Sequence, residues 1–211
     1  MKNISLLFSG RGSNVNSILS HITKKRLNFN VKKIICDNKN APGIKILENY
    51  NFNNTILDIK SFSNKRDFDI ELRNILNPKE NDLLLLCGYM NKIPEHLIKA
   101  FNGNIINIHP SLLPKYKGLD THEKAIKNKD TEHGCSIHFV TSNIDEGPVI
   151  AQYHLAIKSS DDKVSIANKL LPLEHKLYYE VLKIIENERI SLLNNKVIFD
   201  GVALKKPIKY I

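Results

Sequence analysis

The sequence predicts an α/β fold organised around a mostly parallel sheet, with an antiparallel addition towards its C-terminal end. Three observations carry that expectation. Short apolar runs alternate with amphipathic stretches throughout the first half of the chain, the signature of strand–helix–strand units. The run Asp82-Leu-Leu-Leu-Leu-Cys87 is apolar at every position between its ends, as a central parallel strand buried on both faces requires. The runs end in turns rich in Gly, Pro and polar side chains, where open α/β sheets place their ligands.

Asn3 to Ser9 reads as the first strand. Gly10-Arg-Gly-Ser-Asn14 turns into an amphipathic helix from Val15 to about Lys25. Strand, glycine turn and helix make a phosphate cradle, because N–H groups at a helix start face an anion and the helix dipole favours it. Ser13 or Asn14 is the expected cap. No Gly-Lys-Ser/Thr follows, so this is not a Walker loop. The third glycine of a dinucleotide fingerprint would fall at Val15, so it is not that either. A plain capped turn accounts for the same residues.

The alternation continues. Val31 to Asp37 is a strand, and Pro42 to Tyr50 a helix with proline near its start. Thr55 to Ile59 is a short strand, Lys65 to Leu76 a helix, and Asp82 to Cys87 the leucine strand. Such an order implies right-handed crossovers. Gly88-Tyr-Met-Asn-Lys-Ile-Pro94 then offers an aromatic ring, a methionine and backbone groups to a flat organic ligand. It reads equally as an ordinary loop before a helix at Glu95 to Ala100.

The next strand, Asn104 to His109, breaks at Pro110 into a loop punctuated by Pro114 and Gly118. Alternate strand residues share a face, so Asn107 and His109 point one way and Ile106 and Ile108 the other. An amide and an imidazole thus stand side by side at a strand end. A packed, hydrogen-bonded histidine is the competing reading of His109.

His122 to Asn128 reads as a short helix and His133 to Thr141 as a strand. His133 and His138 are five apart, hence on opposite faces of that strand, and cannot chelate one metal ion from it. Asp145 lies in the turn Ser142-Asn-Ile-Asp-Glu-Gly-Pro148, which leads into a strand from Val149 to Ile157. This turn can bring Asp145 beside His109; a surface carboxylate is the alternative. Ser160-Asp161-Asp162 starts a long helix from Lys163 to Glu188, whose Leu170, Leu173, Leu177 and Val181 form a core stripe. Pro172 is expected to kink or restart it. Turns at Asn194-Asn195 and Asp200-Gly201 give the tail from Ser191 to Ile211 the look of an antiparallel addition.

The 211 residues suit one α/β domain, with an N-terminal half to about residue 100 and a second half from 101 to 211. Three dispersed cysteines suggest reduced, buried thiols rather than disulfides or zinc. No apolar run is long enough for a membrane span, and the N-terminus reads as a strand rather than an export signal, so a cytoplasmic protein is expected. Lys plus Arg number 31 against 22 acidic residues, a net charge of +9, but the lysines are scattered and no tryptophan is present. Nucleic-acid binding is therefore not expected.

Four segments carry a resemblance that runs essentially end to end: Ser9-Gly-Arg-Gly-Ser-Asn14, Asn107-Ile-His-Pro-Ser-Leu-Leu-Pro114, His133-Gly-Cys-Ser-Ile-His-Phe-Val140 and Asp145-Glu-Gly-Pro148. With them the chain resembles the folate-dependent formyltransferases, in particular those that act on glycinamide ribonucleotide in purine synthesis. The resemblance implies a three-layer, Rossmann-like formyltransferase fold and a catalytic trio of Asn107, His109 and Asp145. It implies a ribonucleotide site at Gly12, Ser13, Asn14, Pro110, Leu171 and Glu174. It places 10-formyltetrahydrofolate, the co-substrate, against Lys65, Met90, Asn91, Lys92, Ile93, Asn107, Thr141, Ser142, Asn143, Ile144 and Asp145. It implies no metal, no nucleic acid and no membrane, and a monomer or homodimer. Asp145 near His109 is expected to favour the imidazolium. Lys65 stands where the family commonly has Arg, losing the planar fork. Met90-Asn-Lys-Ile93 stands where an Arg and an aliphatic pair are more usual.

A formyltetrahydrofolate hydrolase, another amine formyltransferase on this fold and a nucleotide-binding regulatory module are the alternatives. Hydrolase relatives carry an added N-terminal module and tRNA-formylating ones an added C-terminal domain. A strand starting at Asn3 and a chain of this length lead us to expect neither.

Overall fold

Each apolar run of the first half becomes a strand in the computed structural model, which describes residues 1–211. The chain divides into two units, Met1–Asn107 and Ile108–Ile211.

In the first unit, β1 (Lys2–Phe8), β2 (Phe29–Cys36), β3 (Asn54–Ile56), β4 (Leu83–Leu86) and β5 (Ile105–His109) pair in the order β5-β4-β1-β2-β3. Every pairing is parallel. All four leucines of β4 are buried, as are Ile4, Leu6, Leu7 and Phe8 of β1. Truncating one of these leucines to alanine would cost roughly 2–5 kcal/mol. The sheet therefore gives the strand ends a rigid base, and the turns of interest start from those ends.

The crossover helices are α1 (Ser13–Thr23), α2 (Ile44–Leu47), α3 (Lys65–Leu76) and α4 (Glu95–Ala100). Two differ from the sequence reading. Helix α1 begins at Ser13, two residues early, with Gly12 as its N-cap in the left-handed region (φ 67°) and no side-chain cap. Ser13 and Asn14 thus lie inside the first turn rather than capping it, because a glycine turns the chain there without a polar side chain. Helix α2 is a single turn, since Pro42-Gly43 before it and Asn49-Tyr50-Asn51 after it are poor helix formers.

The second unit contains α5 (Thr121–Lys127), β6 (Glu132–Phe139), β7 (Val149–Ala156), α6 (Lys163–Glu186), β8 (Ile190–Leu193), β9 (Lys196–Phe199), β10 (Val202–Ala203) and β11 (Ile208–Tyr210). Strands β6 and β7 form an antiparallel hairpin, while β8, β9 and β10 form a small separate antiparallel sheet. The tail is not wholly antiparallel, because β11 runs parallel to β7. Helix α6 packs on β6 and β7. It opens with a capping box in which Asp162 and Ser165 each accept or donate across the first turn. It continues through Pro172 as one helix and does not restart there. Proline removes one backbone bond, and buried Ile166 and Leu170 before it, with Leu177, Tyr178, Val181 and Leu182 after it, hold the helix on both sides. No helix is long and apolar enough to cross a membrane.

Candidate functional site

The loop that follows His109 is fastened by two polar side chains of the β6–β7 hairpin. Ser136 Oγ donates to the Ser111 carbonyl (2.6 Å) and accepts from the Leu113 N–H (3.0 Å). Gln152 Nε2 donates to the Leu113 carbonyl (2.9 Å) and to Ser136 Oγ (2.9 Å). Ser111, fully buried, donates to the Lys115 carbonyl (2.6 Å). Gly134 keeps this approach open, because a Cβ there would lie 2.0 Å from the Tyr153 carbonyl and 2.6 Å from Leu112. The Pro-rich loop is thus fixed at its root, and His109 with it.

His109 is buried at the end of β5. Its Nε2 lies 2.8 Å from the Tyr116 carbonyl. A carbonyl only accepts, so Nε2 carries the hydrogen. Its Nδ1 lies 3.4 Å from Asp145 Oδ2. The other carboxylate oxygen lies 3.6 Å from Nε2 of His138, whose Nδ1 donates to the Phe139 carbonyl (2.8 Å). The Gly118 N–H donates to Asp145 Oδ2 at 2.9 Å. Asp145 therefore sits between two imidazoles, each of which has given its outer N–H to the backbone. The three side chains thus form one contact cluster around the carboxylate.

The electrostatics correct one expectation. Burial lowers the His109 pKa below 6.5, and the hydrogen bond to Tyr116 and the charge of Asp145 only partly oppose it, while His138 and Lys124 add to the lowering. The ring is held neutral rather than as the imidazolium. For Asp145, burial pushes the pKa up, but the hydrogen bond from His138, the charge of His109 and the Gly118 N–H outweigh it, and the group lies below the ordinary carboxylate range. Asp145 adopts a left-handed backbone (φ 52°), which aspartate tolerates better than most residues. Two residues on, a Cβ at Gly147 would lie 1.7 Å from the Phe139 carbonyl, so only glycine lets the turn close on β6.

Asn107 lies two residues before His109 on β5, opposite Leu86 of β4, with its side chain half-buried. In the same unit, the turn at Gly12 rests on a close backbone approach that the sequence did not reveal. The Gly43 N–H donates to the Gly10 carbonyl (3.1 Å), and a Cβ on Gly43 would come within 2.7–2.8 Å of Gly10, Arg11 and Gly12. Asn14 is buried and Ser13 half-buried at the start of α1.

The Gly88–Pro94 loop presents an exposed Met90 above a buried Ile93. Asn91 turns inwards, donating to Asp37 Oδ2 at 2.6 Å. Lys65 does not point freely outwards. Its ammonium reaches both oxygens of Asp69 (2.6 and 2.9 Å) and the Lys92 carbonyl (3.2 Å). Lys92 itself is exposed.

In the second unit, the Thr141–Asp145 loop is largely exposed, with Ser142, Asn143 and Ile144 outward. It is tied to itself by Asn143 Nδ2 donating to Glu146 (2.9 Å), which also pairs with Lys117 (2.8 Å). Pro110, Leu171 and Glu174 are half-buried. Burial first, and then the charge of Glu174, push the Cys135 thiol well up, so this cysteine is an inert core residue. All three cysteines are free and buried.

His133 does not share a site with His138. Its Nε2 lies 3.0 Å from Nδ1 of His122, in an edge-to-face contact of the two rings. Burial, and then the charge of His122, lower the His133 pKa to about 4. Between pH 6.5 and 4 the unfolded chain binds a proton that the folded chain refuses. Stability is therefore complete above pH 6.5 and falls by up to about 3 kcal/mol as the pH drops through that window. Urea unfolding at a series of pH values should show this loss, and His133→Gln should flatten it; an unchanged slope in the variant would assign the loss elsewhere.

The sequence reading missed His138 as a partner of Asp145, Tyr116 as the acceptor for His109, and Gly43 beneath the first turn. His138 alone left a trace, a histidine on the strand that leads into the Asp145 turn.

Comparison with known proteins gives a consistent result. The formyl transferase family model matches residues 2–182. The phosphoribosylglycinamide formyltransferase of Escherichia coli (strain K12) is 32% identical over 202 residues, covering 96% of this chain and 95% of that one. The structure of the phosphoribosylglycinamide formyltransferase from Coxiella burnetii superposes with a TM-score of 0.91 at 36% identity, covering 100% of this chain and 99% of that one. A formyltetrahydrofolate deformylase from Pseudomonas syringae shares the fold, with a TM-score of 0.86, but only 20% identity, and the match covers 94% of this chain and 65% of that one.

Proposed function

The chain belongs to the formyl transferase family, and we propose that it transfers the formyl group of 10-formyltetrahydrofolate to the glycinamide amine of 5-phosphoribosylglycinamide, giving N-formylglycinamide ribonucleotide and tetrahydrofolate in purine synthesis. The observation that carries this reading is the near full-length similarity to curated phosphoribosylglycinamide formyltransferases, at 32% identity to one of them. The His109–Asp145–His138 cluster supplies matching chemistry. Such a reaction belongs in the cytoplasm.

The amine attacks as the free base, which an α-amino pKa of roughly 7.7–8.0 makes available near neutral pH. Attack on the formyl carbon puts negative charge on the formyl oxygen. Asn107 donates its amide N–H to that oxygen. His109 donates Nε2–H, exchanging the Tyr116 carbonyl for the oxyanion. The attacking nitrogen becomes cationic and must lose a proton. Asp145, held as the carboxylate, accepts it directly or through a water. The proton then passes to the departing folate nitrogen as the carbon–nitrogen bond breaks, and the carboxylate is restored. Each step is a proton transfer or a carbon–nitrogen bond change, and the amide, imidazole and carboxylate supply what these steps need.

The phosphate is assigned to the N–H groups of Gly12, Ser13 and Asn14, and the glycinamide end to Pro110, Leu171 and Glu174. The folate is assigned to Lys65, to the Met90–Ile93 loop, where exposed Met90 offers an apolar surface, and to Thr141–Asp145. Gly43→Ala should force the Gly10–Gly12 backbone away from α2 and raise the KM for the ribonucleotide about tenfold, the effect of losing one charge-assisted hydrogen bond. An unchanged KM would remove the phosphate from this turn.

The test is a formyl-transfer assay with purified protein, 10-formyltetrahydrofolate and glycinamide ribonucleotide, following tetrahydrofolate release and the mass of the ribonucleotide. Folate release that depends on the ribonucleotide, with gain of one formyl group, is the expected result. Equal release without the ribonucleotide would make the protein a hydrolase.

A further inference from the structure

Three consecutive residues of the Gly88–Pro94 loop are each held by a side chain from a different element. The Met90 N–H donates to Ser9 Oγ (2.9 Å) at the end of β1. Asn91 Nδ2 donates to Asp37 Oδ2 (2.6 Å) just after β2. The Lys92 carbonyl accepts from Lys65 Nζ (3.2 Å) at the start of α3. Asp37 is itself fixed: its N–H donates to the Phe8 carbonyl (3.3 Å), its carbonyl accepts from the Ile59 N–H (3.0 Å), and it is 1% exposed.

We infer that Asp37 is a positioning residue for the formyl folate, acting through Asn91 to fix the Met90–Lys92 backbone. This rests on the proposed function, which assigns the loop to that substrate.

A buried carboxylate is a poor choice for a merely structural strand end. It loses its hydration and recovers it only through hydrogen bonds, and Asp37 Oδ1 is buried with no hydrogen-bond partner. What the carboxylate supplies is a strong acceptor for Asn91, 54 residues away in sequence, at 2.6 Å. Asn91 is therefore directed inwards, and the loop offers Met90 and its backbone outwards. A change at Asp37 releases Asn91, the middle of the three ties.

The experiment compares Asp37→Ala, Asp37→Asn, Asn91→Ala and the Asp37→Ala/Asn91→Ala double variant in steady-state formyl transfer. Tetrahydrofolate binding by calorimetry and hydrogen exchange of the 88–93 amides accompany it. Asp37→Ala and Asn91→Ala should each raise the KM for 10-formyltetrahydrofolate about tenfold. kcat and the KM for the ribonucleotide should stay within twofold, and the 88–93 amides should exchange faster. The double variant should be no worse than either single one, because both break the same link. Asp37→Asn keeps an acceptor for Asn91 and should restore the folate KM to within about threefold. Additive effects, a parallel change in kcat and both KM values, or an unchanged folate KM in Asp37→Ala would overturn the inference. A wild-type protein that transfers no formyl group would sink the functional reading instead. In that case tetrahydrofolate binding and loop exchange still decide the role of Asp37.

Discussion

Replacing Asp145 by asparagine should lower the rate of formyl transfer by about 10²–10⁴, the range for loss of a positioned proton-transfer group, while the KM of each substrate changes little. Asparagine is the informative substitution. The backbone at 145 is left-handed (φ 52°), a conformation that asparagine accepts and alanine resists. Asparagine can still take the Gly118 N–H through its carbonyl oxygen, a bond of 2.9 Å in the parent. It cannot take a proton. A fall in single-turnover rate with retained binding assigns proton transfer to the carboxylate. If Asp145→Asn keeps its rate to within threefold, another base removes the amine proton. Asp145→Ala should be no more active, and should also be less stable, because it leaves the Gly118 N–H without its acceptor and puts alanine in a left-handed backbone.

The fold was legible where periodicity decides it. The leucine run of β4, the alternation of strands and helices to residue 100, and the strand that carries Asn107 and His109 all follow from local pattern. What the pattern cannot carry is burial and distant approach. The sequence places Asp145 near His109 and so suggests a charged imidazole. Only the fold shows how thoroughly His109 is desolvated and that its Nε2–H is already given to Tyr116. Gly43 looks like a helix-start glycine, and its packing on Gly10–Gly12 across the β1 and β2 turns has no local signature. Asp37 looks like the polar end of an apolar strand, and its grip on Asn91 spans 54 residues. Pro172 shows the converse case. The local rule says that the helix should break, but the apolar residues that α6 buries on either side keep it continuous.

The same burial decides how His109 should behave under mutation and pH. Substituting alanine removes one donor to the developing oxyanion, and kcat should fall by about 10²–10³, with the ribonucleotide KM little changed, since that substrate is assigned to other residues. His109→Gln keeps an N–H donor but does not titrate, and should recover part of the rate. The pH profile distinguishes the two protonation states. Burial holds the His109 pKa below 6.5, so a neutral ring is the form present at neutral pH. If its Nε2–H is the donor, wild-type kcat/KM rises with pH as the substrate amine loses its proton, near roughly 7.7–8.0. It then stays flat, and protonation of His109 only steepens the fall on the acid side. The His109→Gln profile should lack that extra steepness below pH 6.5 and otherwise run parallel. If the imidazolium were the working form, wild-type activity would instead decline with rising pH above the lowered pKa, and the decline would vanish in His109→Gln. Observing that decline would refute the neutral-donor assignment.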